Sequence, residues 1–205
     1  MKTKENGRKQ PAVNIITLGC SKNLYDSETL AGQLEKQGRE VSHEGHGNIV
    51  VVNTCGFIGD AKEQSVNAIL EQVERKRRGE IDRLYVSGCL SQRYMDELRG
   101  ELPEVDGFYG VNDMKAILAV LGADYKKELA GERLLSTPRH YAYLKISEGC
   151  DRACSYCAIP LIRGKHISRP VEELIEEART YLMKNAMQGF TISRNFFTLR
   201  DLSKG

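Results

Sequence analysis

Six cysteines are the residues of this chain best suited to chemistry, and they fall into two groups of three. Cys150, Cys154 and Cys157 stand together in "EGCDRACSYCAIPLIRG", with C-x3-C-x2-C spacing and no fourth cysteine behind them. Cys20, Cys55 and Cys89 are scattered, yet their contexts "TLGC", "VNTCG" and "VSGC" are alike. A structural zinc site wants four ligands. No histidine stands ready beside the scattered cysteines: His43 and His46 read as solvated loop residues. At the local triad a zinc would have to recruit His166, nine residues beyond Cys157. Three thiolates without a fourth suit a cubane iron–sulfur cluster with one iron left open. For any one scattered cysteine the plain alternative is a buried thiol, since free cysteine is among the most buried residue types. For three in equivalent settings that alternative weakens.

Those settings are strand ends. "AVNIITLGC" (Ala12 to Cys20) is rich in β-branched residues, "NIVVVNTC" (Asn48 to Cys55) is almost wholly apolar, and "IDRLYVSGC" (Ile81 to Cys89) follows the same plan. The second of these runs is typical of a parallel strand buried on both faces. Between them lie helical patterns: "YDSETLAGQLEKQG" with Leu30 and Leu34, and "DAKEQSVNAILEQVERKR" with Val66, Ile69, Leu70 and Val73 on one face. "SQRYMDELRGEL" and "NDMKAILAVLG" supply two more helices, Arg39 to Ser42 a short strand, and "VDGFYGV" another. Strand and helix alternating at this pace predict an α/β fold with an open, mostly parallel sheet. Ligands of such sheets bind at the carboxyl ends of the strands, so three scattered cysteines can converge there. Gly19, Gly56 and Gly88 beside them permit tight turns and close backbone approach.

The polar stretch "ADYKKELAGERLLSTPRH" breaks this rhythm, and we expect a linker over 123–139 after a first domain at 12–122. A second unit begins with "YAYLKISEGC", a strand running into the cysteine loop, followed by the helix "SRPVEELIEEARTYLMKN". There Ser168 lies in the N-cap region, Pro170 in the first turn, and four glutamates early on, where the helix dipole favours them. Residues 1–11, from the polar and basic "MKTKENGRKQ", read as a mobile tail without the apolar core of a secretory signal.

With 205 residues, 40% apolar and 28% charged, the chain is globular in composition, and a net charge of +2 argues for neither nucleic acid nor membrane surface as partner. Its longest apolar run is far too short to span a bilayer. We expect no membrane partner and a cytoplasmic setting, where thiols stay reduced and clustered cysteines mean metal or redox chemistry.

A strand feeding a C-x3-C-x2-C loop resembles the radical SAM (S-adenosylmethionine) superfamily, in which the open iron of a 4Fe–4S cluster chelates SAM. Tyr156 matches the aromatic of that motif and, by the resemblance, would lie near the SAM adenine. The two triads together resemble the methylthiotransferases. The residues carrying the match are "LGCSKNLYDSE" (Leu18 to Glu28), "NTCGFI" (Asn53 to Ile58) and "YLKISEGCDRACSYCAIPLIRGKHISR" (Tyr143 to Arg169). They look most like the branch that modifies an aspartate of small-subunit ribosomal protein twelve. The tRNA-modifying branch typically reads "GCQMN" and "NTCSIR" instead, and is the alternative. A non-catalytic iron–sulfur binding module is the alternative of another class.

The resemblance implies two 4Fe–4S clusters, an auxiliary one on Cys20, Cys55 and Cys89 and a radical-generating one on Cys150, Cys154 and Cys157. It implies that one SAM methylates sulfur associated with the auxiliary cluster. A second SAM then yields the radical that takes hydrogen from the aspartate β-carbon, which receives the methylthio group. An electron donor such as flavodoxin or ferredoxin is implied as a partner. Arg163 and Lys165 are candidates for an anionic substrate, with a solvated loop as the simpler reading.

The chain departs from the family pattern late. Residues 140–205 are few for a radical SAM domain, since a (βα) barrel runs to about 200 residues or more. We expect only the first βα portion of a partial barrel and no carboxy-terminal TRAM domain. The stretch "AMQGFTISRNFFTLRDLSKG" does not resemble the family where a second barrel strand is due. Phe190, Ile192, Phe196, Phe197 and Leu199 offer a makeshift strand at most. We expect a truncated or frame-shifted gene product, atypical from about residue 186, with doubtful activity of its own.

Overall fold

A computed structural model describes residues 12–192 apart from 44, 46, 130, 139, 140 and 186–190; at 128, 182–185, 191 and 192 it describes the backbone alone. The expected tail, and His46, Phe190, Phe196, Phe197 and Leu199, lie outside the described residues.

The first part of the chain alternates strand and helix: β1 (Val13–Thr17), α1 (Ser21–Glu35), β2 (Val41–Ser42), β3 (Ile49–Thr54), α2 (Gly59–Arg77), β4 (Arg83–Gly88), α3 (Cys89–Glu101), β5 (Gly107–Phe108) and α4 (Met114–Val120). The five strands form one parallel sheet in the order β2-β1-β3-β4-β5, as an α/β sequence of this rhythm predicts. Its core divides by the two-residue period of a strand. Val13, Ile15 and Val51 face Leu30, Ala31 and Leu34 of α1 and Ile117, Leu118 and Leu121 of α4. Val50, Val52, Leu84 and Val86 face Ile69 and Val73 of α2 and Leu90 of α3. Every residue of β3 is buried, because both its faces are covered. Leu70, expected on the apolar face of α2, is instead 43% exposed: one residue past Ile69, it has turned about 100° away from the sheet.

The chain then passes a short 3-10 turn at Lys127–Leu129 and runs along α1. Gln33 Nε2 donates to the carbonyl of Lys126, the amide of Leu134 donates to Glu28 O, and the amide and hydroxyl of Ser136 donate to Glu28 Oε1. The polar stretch expected as a linker is thus lashed to the first helix along much of its length.

The remaining elements are β6 (Tyr143–Leu144), β7 (Ser147–Glu148), α5 (Ile159–Arg163), β8 (Ile167–Ser168), α6 (Val171–Asn185) and β9 (Thr191–Ile192). The single strand expected over "YAYLKISEGC" is two short ones with different partners. Leu144 and its neighbour pair in parallel with β9, whereas Ser147 and Glu148 pair antiparallel with β8. Helix α6 begins at Val171, with Pro170 just outside, its carbonyl accepting from the Leu174 amide. Glu172 and Glu173 occupy the first turn. β6, α6 and β9 make a parallel strand–helix–strand unit of the kind that opens a (βα) fold.

Candidate functional site

Parallel register carries the scattered cysteines to one edge. Thr54 is the partner of Gly88 in the β3–β4 ladder, so Cys55 and Cys89, the next residues of each chain, leave the sheet side by side. Thr17 is level with Asn53, and Cys20 follows three residues later as the N-cap of α1. The sheet order reverses between β1 and β3, and at such a switch point the loops diverge and leave a crevice. Backbone contact is close. A Cβ on Gly19, whose φ is +91°, would lie 2.5 Å from Cys55 Cβ and 2.9 Å from its Sγ. A Cβ on Gly56 would lie 2.7 Å from Leu90 Cα, so the turn after β3 rests on the start of α3. Cys20 and Cys89 also sit at the starts of two long helices, where the dipoles favour negative charge.

Polar side chains fix this edge. Asn23 Nδ2 donates to the carbonyls of Leu18 and Thr54, each at 2.9 Å, tying the turn before Cys20 to the residue before Cys55. Asn53 Nδ2 donates in turn to Asn23 O and Ser27 Oγ. Ser65 of α2 accepts from the amide of Cys55 and donates to its carbonyl. Cys55 and Cys89 are buried and Cys20 is exposed; all six cysteines are free. Three unpaired soft donors on three converging loops fit a thiolate-ligated cluster held at an open edge. Among the described residues no three His, Cys, Asp or Glu side chains close on a single ion.

Cys150, Cys154 and Cys157 occupy the loop between β7 and α5. The amide of Cys150 donates to Gly164 O and that of Cys157 to Cys154 O, while the carboxylate of Asp151 accepts from the His166 amide. Gly149 enters the loop at φ +74°, and a Cβ there would collide with the Lys165 carbonyl. Cys154 is exposed and Tyr156 is 90% exposed.

The largest departure from expectation is Arg163. It is 3% exposed rather than solvated, because it turns inward from α5 to the first cysteine site. Its Nη1 donates to Asp26 Oδ2 and Glu148 Oε2, both at 2.9 Å; its Nη2 donates to Asn23 Oδ1 at 2.6 Å and to Cys89 Sγ at 3.5 Å. Lys165 by contrast is exposed. Lys145 completes the cluster with contacts of 2.6 Å to Asp26 and 2.5 Å to Glu148. Burial raises the Cys89 thiol above its ordinary value, and the adjacent Arg163 works against that rise. Burial would also lift Glu148, but Lys145 and Arg163 overcome it and hold the carboxyl at about 2. Burial disfavours the Lys145 ammonium, yet Asp26 and Glu148 outweigh it and raise its pKa. Asn23, Asp26 and Ser65 were not singled out from sequence. The available signal was polarity on a helix face turned inward: Asn23, Ser27 and Glu28 are all fully or nearly fully buried.

Fold and site thus define a parallel α/β protein with three thiols at its switch-point edge, joined by an arginine to a second three-cysteine loop. Residues 12–110 match the family model described as "Uncharacterized protein family UPF0004". Curated relatives carrying the name "Ribosomal protein uS12 methylthiotransferase RimO" match most of the chain. That of Christiangramia forsetii is 59% identical over 170 residues, covering 83% of this chain and 38% of the relative. That of Flavobacterium psychrophilum is 57% identical over 180 residues, covering 88% and 41%. That of Bacteroides fragilis is 56% identical over 187 residues, covering 90% and 43%. The chain is thus similar to these methylthiotransferases over most of its own length, and it spans about two fifths of theirs. No helix among the described residues is long and apolar enough to cross a membrane.

Proposed function

We propose that this chain carries the cluster-binding part of an enzyme that methylthiolates the β-carbon of an aspartate in ribosomal protein uS12. Cys20, Cys55 and Cys89 hold an auxiliary 4Fe–4S cluster, and Cys150, Cys154 and Cys157 hold the one that binds SAM. Residues 12–122 form the auxiliary-cluster domain, 123–139 the connection, and the residues from 140 the opening of the radical SAM domain. The observation that carries this reading is the register of β3 and β4, which delivers Cys55 and Cys89 as neighbours at the edge where Cys20 also arrives. The names of the relatives support the substrate.

When bound, the second cluster with SAM supplies a carbon-centred radical for hydrogen abstraction, and an electron carrier of the flavodoxin or ferredoxin class feeds it. The chain's own residues do the rest. Asn23, Asn53 and Ser65 hold the turns that present the first three thiols. Gly149 gives the second loop its entry angle, and Tyr156 stands exposed beside Cys157 to meet the adenine.

Anaerobic reconstitution with iron and sulfide tests this. We expect about eight irons per chain, falling to about four in Cys89→Ala and to about four in Cys154→Ala. Four in the parent would leave a binding module without radical chemistry, and zinc alone would overturn both. A full-length relative bearing this segment, loaded and given SAM and reductant, should release 5′-deoxyadenosine and add one methylthio group to the aspartate of a uS12 peptide.

A further inference from the structure

Arg163 belongs, by position, to the second cysteine loop: it lies six residues past Cys157, at the end of α5. Its guanidinium nevertheless ends in the first site. One nitrogen, Nη2, serves both Asn23 Oδ1 and Cys89 Sγ, and the Cys89 thiol itself lies 3.6 Å from the same Asn23 oxygen. The other, Nη1, is pinned between Asp26 and Glu148, and Glu148 is the residue that leads through Gly149 into Cys150. A buried arginine with a rigid planar fork is held in one geometry by such partners. A positive charge and an N–H are thereby fixed against the sulfur of a residue about seventy positions away in the chain.

From this geometry we infer that Arg163 is a positioning residue for the auxiliary cluster, donating a charge-assisted hydrogen bond to the Cys89 sulfur and so setting the cluster's reduction potential from within the radical SAM segment. The inference rests on Cys20, Cys55 and Cys89 being cluster ligands. Hydrogen bonds to ligand sulfur and nearby charge are among the levers that tune such potentials. A cation favours the state carrying the extra electron, so its removal makes the cluster harder to reduce. The same side chain ties the second loop to the first site. Proper seating of that loop and tuning of the first cluster are therefore one event.

The test uses the full chain with Cys150→Ala, Cys154→Ala and Cys157→Ala, so that only the first site can load. After reconstitution, iron is counted, the potential is measured by a redox titration followed by electron paramagnetic resonance, and arginine labelled with 15N in its guanidinium is used to seek hyperfine coupling in the reduced cluster. We expect about four irons in this parent and in the added Arg163→Met. Arg163→Met should shift the reduction equilibrium about tenfold toward the oxidised state, a fall of about 59 mV for one electron. Arg163→Lys should recover part of that shift and lose the 15N coupling seen in the parent. An unchanged potential in Arg163→Met, or a parent without 15N coupling, overturns the inference while leaving the ligand assignment intact. A parent that binds no iron overturns both. Should Arg163→Met not fold, the labelled parent alone decides.

Discussion

Asn23 shows how the chemistry of this edge depends on residues that are not ligands. It gives both amide hydrogens to main-chain carbonyls and lends its oxygen to Arg163, and it is wholly buried. Buried polar groups left without a partner cost about 1–3 kcal/mol each. Asn23→Ala should accordingly lower stability by about that amount, read from urea unfolding of the apo chain. It should also reduce iron uptake at Cys20, Cys55 and Cys89 before uptake at the other triad. Gly149 makes the opposite case for the second loop. Its positive φ and the Lys165 carbonyl leave no room for a Cβ. Gly149→Ala should cost more than about 1 kcal/mol and lower iron bound at Cys150, Cys154 and Cys157, with the first site still loading. Equal losses at both sites would contradict a role for Gly149 in the second loop in particular.

Among the elements, the helices that cover the sheet carry most of the burden of holding the strand ends in line. Leu34 of α1 is fully buried against the β1–β3 face, so Leu34→Ala should cost about 2–5 kcal/mol. Leu70 of α2, which sequence spacing assigns to the apolar stripe, is exposed; Leu70→Ala should change stability by no more than about 0.5 kcal/mol. Paired unfolding curves of the two variants check both statements at once. The stripe is ambiguous at Leu70 because α2 covers the sheet through a narrow seam, Ile69 and Val73, and the residue after Ile69 lies at its rim.

Across the whole molecule, α1 is the element that joins the sheet to the later segment. Tyr25 donates to Glu177 of α6, Arg169 donates to both, and Arg133 stacks on the rings of Tyr25 and Tyr181 while donating to the Tyr181 hydroxyl. Arg133 and Glu28 form a fully buried pair at 3.5 Å. Removing one member of such a set leaves an uncompensated charge and costs about 3–5 kcal/mol, the loss expected for Glu177→Gln. Limited proteolysis should then cut between the sheet and α6. Alkaline pH should weaken the same contacts. Burial holds the Tyr25 and Tyr181 phenols above the ordinary value of 10.0; Glu177 adds to the rise, while Arg133 opposes it at both and Arg169 opposes it at Tyr25. Lys145, close to the Tyr25 ring, is also shifted upward. Groups raised on folding contribute stability that is fully present below the unfolded pKa and lost as pH rises through the folded one. The chain should thus lose stability from about pH 10 upward, and Tyr181→Phe should blunt the loss; thermal melts across alkaline pH check this.

The parallel α/β order, the strand-end placement of Cys20, Cys55 and Cys89 and the local triad at Cys150, Cys154 and Cys157 were legible in the sequence. Each depends on short-range features: a run of β-branched residues, a helical repeat, or the spacing of three thiols. Arg163 was not legible, since "IRGK" in isolation is a charged surface loop and nothing within it signals Asp26 or Cys89. The split of "YAYLKISEGC" into two strands was hidden for the same reason, because the partners of Leu144 and Ser147 lie in different elements far along the chain. The sequence by itself determined which residues could ligate and that three of them lie at strand ends. Only the tertiary structure decided that the second cysteine loop reaches into the first site. The physical reason is that a buried ion network is specified by groups brought together from distant segments, and burial is a property of the packed whole.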